Sequence, residues 1–444
     1  MNNSELPKGY KPTEVGVIPE DWNVVSVQKL VETQILEKPL DGNHGNIHPK
    51  SSDYVSYGIP FVMANNFANG QVDIVNCKFI TKEKADKLQK GFSIAGDVLL
   101  THKGTVGSTA IVGELSTAYV MLTPQVTYYR VIDTNRLNNL FVRHYFDSQP
   151  FQSLFINLAG GGTRAYLGIV KQLALPVIIP PLPEQRSIAT ALSDMDELLG
   201  GLDRLIAKKR DLKQATMQQL LTGKTRLPGF GEGKGYKQTE IGAMPEDWSV
   251  KQFAKVTDII TCGIAATPEY VSENQGYPFL SSTNVKDGQI IWSAYKYITI
   301  NLHRQLYRNN PPRRGDILYS RVGTIGEAAV IDVNFEFSIY VSLTLIKPGE
   351  LLDSFFLMHL LNSTPYKKRA KEQVYLGGGV GNLNVDVVRK YPIVLPPLPE
   401  QTAIASILSD MDTEIAAIEQ RRSKTRDLKQ AMMQELLTGR TRLR

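Results

Sequence analysis

The segment that decides the fold of this chain is written twice. It reads PPLPEQRSIATALSDMDELLGGLDRLIAKKRDLKQATMQQLLTGKTRL at residues 180–227 and PPLPEQTAIASILSDMDTEIAAIEQRRSKTRDLKQAMMQELLTGRTRL at residues 396–443. The second copy follows the first at an offset of 396 − 180 = 216 residues, nearly half of the 444-residue chain. Self-similarity on this scale indicates a tandem duplication of one large unit.

Each copy of the segment predicts one long helix with a coiled-coil seam. Pro183 suits the first helical turn, where a missing N–H costs nothing, and Gly223 and Gly439 stand where a helix ends. Apolar residues recur at spacings of three and four, which is the coiled-coil rhythm. These seam residues are Ile188, Leu192, Met195, Leu199, Leu202 and Ile206 in the first copy, and Ile404, Leu408, Met411, Ile415 and Ile418 in the second.

An apolar seam of this length needs a partner to cover it. The helix of the other copy is the economical partner, so we expect an antiparallel pair formed by segments 180–227 and 396–444. The alternative, in which each helix packs along its own globular domain, is left open. Polar runs such as 208–210 and 421–424 are expected on the solvated face.

The remaining residues form two globular heads, 1–179 and 228–395, the second entered through a Gly-rich link. GDVLLTHKGTVGSTAIV from Gly96 returns as GDILYSRVGTIGEAAVI from Gly315, and IPFVMANNFANGQVDI from Ile59 returns as YPFLSSTNVKDGQIIW from Tyr277. Short β-branched and aromatic runs between Gly, Pro and Asn indicate strands and turns, with some helix mixed in. We therefore expect an α+β protein with two pseudo-symmetric, mostly-β domains and two long antiparallel coiled-coil helices.

Composition narrows the class of protein. The chain is 42% hydrophobic, so it is globular, and it has no apolar run near the ~20 residues of a membrane span. Without a secretory segment at the N-terminus, the cytoplasm is the expected location. The cysteines, Cys77 and Cys262, lie at different places in the two copies, which disfavours a disulfide framework. A net charge of +6 permits nucleic-acid binding without requiring it.

Motifs for catalysis or metal binding fail on inspection. Gly223-Lys224-Thr225 ends like a phosphate-binding loop, but Gln218 occupies the place of the required first glycine. Asn310-Pro311-Pro312 is followed by Arg313, where an adenine methyltransferase needs an aromatic ring to stack on the flipped-out base. His44 and His48 lie in a loop sequence instead of on a helix face. We expect neither catalytic residues nor a metal site.

Gly-rich loops in both heads are suited to nucleic acid. Glycines permit close approach of the backbone, and nearby cations and hydroxyls can meet phosphate. An equally good interpretation is that these loops are tight strand turns. The candidate contacts in them are Lys103, Thr105, Thr163 and Arg164 in the first head, and Arg321, Thr324 and Asn382 in the second.

Taken together, two heads each closed by a Gly-rich loop, followed by PPLPEQ and a long helix ending LLTGKTRL or LLTGRTRL, resemble the specificity subunit of type I restriction-modification systems. The resemblance covers the whole chain. It implies that each head is a target-recognition domain reading one half of a split double-stranded DNA target.

The same resemblance implies the partners. The paired helices would set the spacing and dock two modification subunits, and restriction subunits would join through the complex. S-adenosylmethionine, ATP and magnesium would be bound only by those partners, so this chain itself is expected to hold no cofactor.

If one scaffold reads two different half-sites, its base contacts should lie where the copies diverge. Segment 41–54 stands opposite 262–270 and differs most, and Asn, Lys and Ser/Thr side chains are suitable readers of base edges. The candidate readers are Asn43, His44, Lys50 and Asn65 in the first head, and Thr267, Ser282 and Asn284 in the second. The alternatives are a coiled-coil scaffold that binds only proteins and an enzyme with an unrecognised site.

Overall fold

The computed structural model describes residues 7–160, 165–239, 242–375 and 381–443. The chain divides into two compact units, Met1–Arg204 with Glu419–Arg444, and Leu205–Ile418. Each unit therefore contains one head and parts of both long helices. The domain limits 1–179, 180–227, 228–395 and 396–444 remain a prediction, since the division into units runs through the helices and not at their ends.

The first head is mostly β. Its strands are β1 Tyr10–Thr13, β2 Gly16–Pro19, β3 Asn23–Ser26, β4 Leu40–Asp41, β5 Tyr54–Val55, β6 Ile59–Val62, β7 Phe67–Ala68, β8 Gln71–Val72, β9 Lys78–Ile80, β10 Phe92–Ser93, β11 Val98–Thr101, β12 Thr109–Ile111, β13 Val120–Leu122, β14 Val126–Tyr129 and β15 Pro176–Ile179. Its helices are α1 Val27–Glu32, α2 Lys82–Asp86, α3 Asn139–Asp147, α4 Gln149–Ala159 and α5 Ile169–Gln172, followed by the long α6 Leu182–Leu220.

The second head follows the same plan. Its strands are β16 Tyr236–Thr239, β17 Gly242–Pro245, β18 Ser249–Gln252, β19 Thr257–Cys262, β20 Tyr270–Val271, β21 Gly276–Leu280, β22 Val285–Lys286, β23 Gln289–Ile290, β24 Lys296–Thr299, β25 Ile317–Ser320, β26 Ala328–Val330, β27 Ser338–Ile339, β28 Leu343–Pro348 and β29 Pro392–Leu395. Its helices are α7 Ile300–Asn309, α8 Ser354–Asn362, α9 Thr364–Glu372 and α10 Val385–Arg389, followed by the long α11 Leu398–Leu436.

Sheet order repeats between the heads. The first head holds a six-stranded sheet in the order β4-β14-β11-β12-β8-β7, and the second holds a four-stranded sheet in the equivalent order β19-β28-β25-β26. A second sheet, β10-β13-β6-β9-β5, has the counterpart β27-β21-β24-β20, in which β13 and β27 run parallel to β6 and β21. The α+β class predicted from the sequence, with two mostly-β domains and two long helices, is confirmed.

The long helices pair antiparallel within each unit. In the first unit, Lys429 lies 2.5 Å from Asp196, so a late residue of α11 meets an early residue of α6. In the second unit, Lys209 Nζ lies 2.6 Å from Glu414, and Lys213 forms a salt bridge with Asp412. The predicted antiparallel arrangement is confirmed by this opposite running of residue numbers.

The seam residues differ in burial. Seven of them are buried, namely Ile188, Leu192, Leu202, Ile206, Ile404, Leu408 and Ile415, and four are half-buried, namely Met195, Leu199, Met411 and Ile418. Leu192 belongs to one cluster with the head residue Trp22 and with Leu436 of α11. Leu408 likewise joins Trp248 and Leu220. The two arrangements considered for the helices therefore coexist, because the first turns of each helix pack on their own head and on the other helix.

A buried ion pair joins three separate segments of the first unit. The carboxylate of Glu184, at the start of α6, accepts hydrogen bonds from Trp22 Nε1 at 3.0 Å and from Arg442 Nε at 2.6 Å. The guanidinium of Arg442 also donates to Asp21 at 2.7 and 3.0 Å and lies 5.6 Å from the Trp22 ring. We call these four residues the first junction cluster.

The second junction cluster has the same geometry. Glu400 accepts from Trp248 Nε1 at 2.9 Å and from Arg226 Nε at 2.6 Å, and Arg226 donates to Asp247 at 2.9 and 3.0 Å. The hydrogen bonds from Arg226 hold the pKa of Asp247 below its ordinary value. One recurring contact thus explains the repeated Asp-Trp of PEDW, the Glu of PPLPEQ and the Arg of TRL.

A glycine just after each long helix allows the end of that helix to approach the head closely. Gly223 and Gly439 have φ of +70° and +69°, the left-handed conformation that ends helices. A Cβ on Gly439 would lie 2.5 Å from Pro19 Cδ, and one on Gly223 would lie 2.6 Å from Pro245 Cδ. Any side chain there would separate the helix end from the head.

Within the described residues, no helix is both long and apolar enough to cross a membrane.

We expect Arg442→Ala to destabilise the first unit by about 3–5 kcal/mol, since it leaves the buried Glu184 carboxylate without its cation. Arg440→Ala is the matched control, because that side chain is exposed and lies 3.9 Å from Glu435; it should change stability by less than about 0.5 kcal/mol. Chemical denaturation of the full chain measures both. Equal transitions for the two variants would contradict the role assigned to the junction cluster.

Candidate nucleic-acid interface

The Gly-rich loops at 102–108 and 321–327 are tight turns between paired strands. In the first head, Gly107 N donates to Thr101 O at 2.8 Å, and in the second Gly326 N donates to Ser320 O at 3.0 Å. Strand β11 leads into the first loop and β12 leaves it, as β25 and β26 do in the second. The tips expose Lys103 and Thr105 in the first head. A turn that is structurally required can thus also present a cation and a hydroxyl to solvent.

The residues Lys103 and Arg321 are not equivalent. Backbone bonds match His102 with Arg321: each amide donates across the sheet, to Gln125 O and Ser342 O, and each carbonyl accepts from a leucine that follows the next Gly-rich segment. The counterpart of Lys103 is Val322, since Lys103 forms an isolated β-bridge to Tyr166 and Val322 forms one to Asn382, each just before the leucine of that head. Lys103 and Arg321 therefore occupy adjacent, non-equivalent positions of the corresponding turns in the two heads.

The guanidinium of Arg321 is used inside the second head. It is buried, and it donates to Leu383 O at 2.9 Å, Val341 O at 3.1 Å and Asn382 Oδ1 at 2.8 Å. These bonds tie the Gly-rich loop to two neighbouring segments. The prediction that Arg321 contacts phosphate does not fit this geometry, because its donors are already directed into the protein.

At the equivalent place in the first head lies a cluster of ionisable side chains. Asp41, at the end of β4, is 4% exposed, forms a salt bridge with Lys90 and lies 2.7 Å from His44 Nε2. Burial would raise the pKa of Asp41, but the hydrogen bonds and charges of Lys90 and His44 outweigh it and leave the pKa below its ordinary value. Asp41 is therefore an ionised carboxylate that holds two cationic or polar donors.

His102, the first residue of the loop, also belongs to this cluster. Its Nδ1 lies 2.8 Å from Thr127 Oγ1, and its Nε2 lies 3.8 Å from Asp41 Oδ2. Burial lowers the pKa of His102 to about 4, so the ring is neutral near pH 7. Within the described residues, His102 Nε2 has no hydrogen-bond partner.

A cleft of about 430 Å³ opens beside this cluster. It is lined by Asp41, His44, Lys90, Tyr166 and the start of α5 at 168–171. Tyr166 is half exposed, and its ring centroid lies 5.7 Å from that of His102. The cleft thus combines hydrogen-bond donors with an aromatic surface, next to the exposed turn that carries Lys103.

The second head has different chemistry on the same frame. Asp41 pairs with Thr127 in the sheet, and Cys262 pairs with Thr344, so Cys262 stands where Asp41 stands. The glycines that follow, Gly42 and Gly263, each approach a backbone carbonyl so closely that a Cβ would collide with it. At these equivalent positions, a buried carboxylate and a neutral imidazole in the first head are therefore replaced by an exposed thiol and a guanidinium in the second.

Two of the predicted base readers have their polar groups occupied. Asn43 is buried and bonded to the backbone of Gln89 and Lys90. Asn284 is buried, accepts from Ser281 N and donates to Ile291 O and Ala294 O. Both asparagines hold loop backbone in this structure, because their amides satisfy buried peptide groups, and direct base reading by either would require those bonds to break.

The equivalent of Asn284 in the first head is Asn66, whose amide accepts from Met63 N and donates to Asn76 O. Asn65, the residue chosen from the sequence, is its exposed neighbour.

The other candidates are distributed as follows. Ser282 is buried, with its backbone N bonded to Ser342 Oγ and its carbonyl accepting from Thr324 Oγ1 at 3.4 Å. Thr163 and Arg164 lie outside the described residues. Exposed candidates are His44, Lys50, Asn65, Lys103, Thr105, Thr267, Thr324 and Asn382. The role of these side chains in DNA contact stays a prediction.

Sequence reasoning missed Asp41, Lys90 and Tyr166. Asp41 and Cys262 do mark the start of the segments that diverge most, which was the available signal. Lys90 and Tyr166 are distant in sequence from that segment and only the fold brings them to it. Within the described residues, no group of three His, Cys, Asp or Glu side chains could hold a metal ion.

Comparison with known proteins gives a consistent result. The family model for the type I restriction modification DNA specificity domain matches residues 19–207 and again 245–425. A putative type I restriction enzyme MjaX specificity subunit of Methanocaldococcus jannaschii is 27% identical, over 98% of this chain and 97% of its own. The EcoKI specificity subunit of Escherichia coli K12 is 23% identical, over 88% and 82%.

Solved structures support the fold. The type I restriction-modification S subunit from M. genitalium matches with a TM-score of 0.59 and 13% identity, over 94% of this chain and 96% of that one. A chain from a study of complex assembly and conformational transition of the type I R-M system matches with a TM-score of 0.54 and 18% identity, over 95% and 99%. With two copies of the family domain spanning most of its length, the chain belongs to the family of type I restriction-modification DNA specificity subunits.

Proposed function

We propose that each head reads one half of a bipartite DNA target with the side chains around its Gly-rich loop. As a member of this family the chain is a non-catalytic subunit for DNA sequence recognition, and the protein-scaffold alternative is not favoured. The observation that carries the proposal is the contrast at equivalent positions, Asp41 with His102 against Cys262 with Arg321. A shared frame with different polar groups is what reading two different half-sites requires.

The first-head cleft supplies the chemistry for base reading. Lys90 lines the cleft with an ammonium group, whose remaining N–H donors suit the O6 and N7 acceptors of guanine in the major groove, and His44 lines it with an imidazole whose Nε2 is bonded to Asp41. Asp41 acts through them as a positioning residue, since its carboxylate is buried and bonded to both. We assign contact with the phosphate backbone to Lys103 and Thr105, which are exposed on the adjacent turn.

In the second head, positioning and contact are divided differently. Arg321 holds the Gly-rich loop against two neighbouring segments and donates to Asn382 Oδ1. Thr324 is exposed on the same loop, and Thr267 is exposed in the segment that follows Cys262. Hydroxyl and amide groups of this kind can read base edges or bind phosphate. We assign base contact in this head to those three residues.

The assembly follows from the same family. We propose that α6 and α11 dock two modification subunits and that restriction subunits join through them, in the cytoplasm. S-adenosylmethionine, ATP and magnesium are assigned to those partners. Membership in a family of type I restriction-modification subunits supports the docking of partner subunits, and the cofactor assignment is part of the proposal.

His44→Ala and Lys90→Gln should relax base preference in the first half of the target, because the first removes the imidazole from the cleft and the second replaces its ammonium group by a neutral amide. A good base contact contributes about 1–3 kcal/mol of discrimination. The second half should stay unchanged. Methylation mapping with the modification subunit present reads out both halves. Lys87→Gln is the control, since its side chain is exposed just after the end of α2 and paired with Glu83. Unchanged preference in the first half, with DNA binding intact, would refute the assignment.

Adding one heptad to each long helix, after Leu202 and after Ile418, should lengthen the spacer between half-sites. Seven residues at 1.5 Å add about 10 Å, or about three base pairs at ~3.4 Å each. The bases read in each half should not change, which methylation mapping would show.

Circular dichroism must confirm that the lengthened protein is folded, because the insertion also rotates one head about the duplex. A folded, active variant that still methylates targets with the original spacer length would rule out the helices as the element that sets the spacing.

A further inference from the structure

A basic helix lies directly against the Gly-rich loop of the second head. Helix α9 packs Ala370 so close to Gly326 that its Cβ lies 3.3 Å from the position of a Cβ on that glycine. Lys367 of α9 lies 2.5 Å from Glu327, the last residue of the loop. Tyr366 and Ala370 are buried, so the opposite face of α9 is turned to solvent.

The first head has an uncharged helix at the same place. Helix α4 packs on Gly107 through Gln152, whose Nε2 donates to Gly107 O at 2.7 Å. Both helices begin after a serine cap with proline in the first turn, so their residues correspond one to one. The sequence of α4 is QPFQSLFINLA, which contains no charged residue, whereas α9 reads TPYKKRAKE.

The correspondence places lysine opposite neutral residues. Lys367 stands opposite Gln152, Lys368 opposite Ser153 and Lys371 opposite Ile156. Ser153 and Ile156 are exposed, as are Lys368 and Lys371. The heads therefore differ in charge at solvent-facing positions beside equivalent turns.

The two exposed lysines remain available to an anion. Lys368 lies 3.7 Å from Glu372, and both side chains are largely exposed, so this pair contributes little. Lys371 forms no ion pair with the described residues. Arg369 is different, since its guanidinium lies 6.0 Å from the Tyr391 ring.

We propose that Lys368 and Lys371 of α9 bind DNA phosphates flanking the second half-site and that the first head makes no equivalent contact. The proposal rests on the proposed function, because it takes the Gly-rich loops to face DNA. A phosphate contact fixes position without reading bases and releases counterions, so it appears in the salt dependence of binding. The second head then contributes the more salt-dependent share of affinity, and the first head depends more on its cleft.

The test is the salt dependence of DNA binding by the full chain with its modification subunits. For Lys368→Gln with Lys371→Gln, the slope of log K against log salt should become shallower by about 1.8, or ~0.9 for each lost phosphate contact. Affinity should fall alike for target and unrelated duplexes, and the methylated sequence should not change. Ser153→Lys with Ile156→Lys in the first head should make the slope steeper by a similar amount.

Lys82→Gln with Lys87→Gln is the matched control. These lysines are exposed at the first residue of α2 and just after its last, and each pairs with an acidic residue four positions away, as Lys368 does. The slope of log K against log salt for this control variant should equal that of the wild type. Thermal melting should show that all variants are folded.

An unchanged slope in the α9 variant, with specific binding by the wild type intact, overturns this inference and leaves the proposed function standing. Loss of subunit assembly with an unchanged slope also overturns it and assigns the surface to a protein partner. A wild-type complex without sequence preference would instead refute the proposed function.

Discussion

The structure depends on a buried carboxylate that must be paired. Glu184 and Glu400 stand at the start of the long helices, inside their heads, and each is neutralised by an arginine that arrives just after the end of the other helix. Arg442 is 258 residues from Glu184 in sequence, whereas Arg226 is 174 residues from Glu400. The same contact therefore closes both units with different lengths of intervening chain. Because an unpaired buried charge is costly, this contact determines which helix ends meet which head.

The need to pair this carboxylate constrains the junction clusters, and it does not constrain the side chains around the Gly-rich loops. Trp22 and Trp248 pack under their arginines, and Gln185 and Gln401 each bond backbone in their own head, so the junctions of the two copies have little freedom to differ. Around the Gly-rich turns the contacts that the two heads share are backbone hydrogen bonds, which leave the side chains there free to differ. Asp41 and Cys262 occupy one sheet position, and a duplicated fold can thus hold its helices in one way while its loops acquire different chemistry.

Local charge explains more of this protein than total charge. A net charge of +6 over 444 residues is modest, and many globular proteins carry as much. The distribution is uneven: α4 is neutral and α9 is basic, although both pack on equivalent turns. Screening confines such fields to about 10 Å at ordinary salt, so a helix beside the binding loop matters where distant charges do not.

The sequence alone determined the duplication, the helix ends and the apolar seam, because these depend on repeated letters, on Pro and Gly at fixed places and on spacing along one helix. It also indicated where the heads diverge. Only the tertiary structure decided how polar side chains are used. Asn43 and Asn284 look like base readers in sequence, yet they satisfy buried backbone; Arg321 looks like a phosphate ligand, yet it ties three segments together. Their partners are tens of residues away, and a local pattern contains no information about which distant peptide groups will be buried beside them.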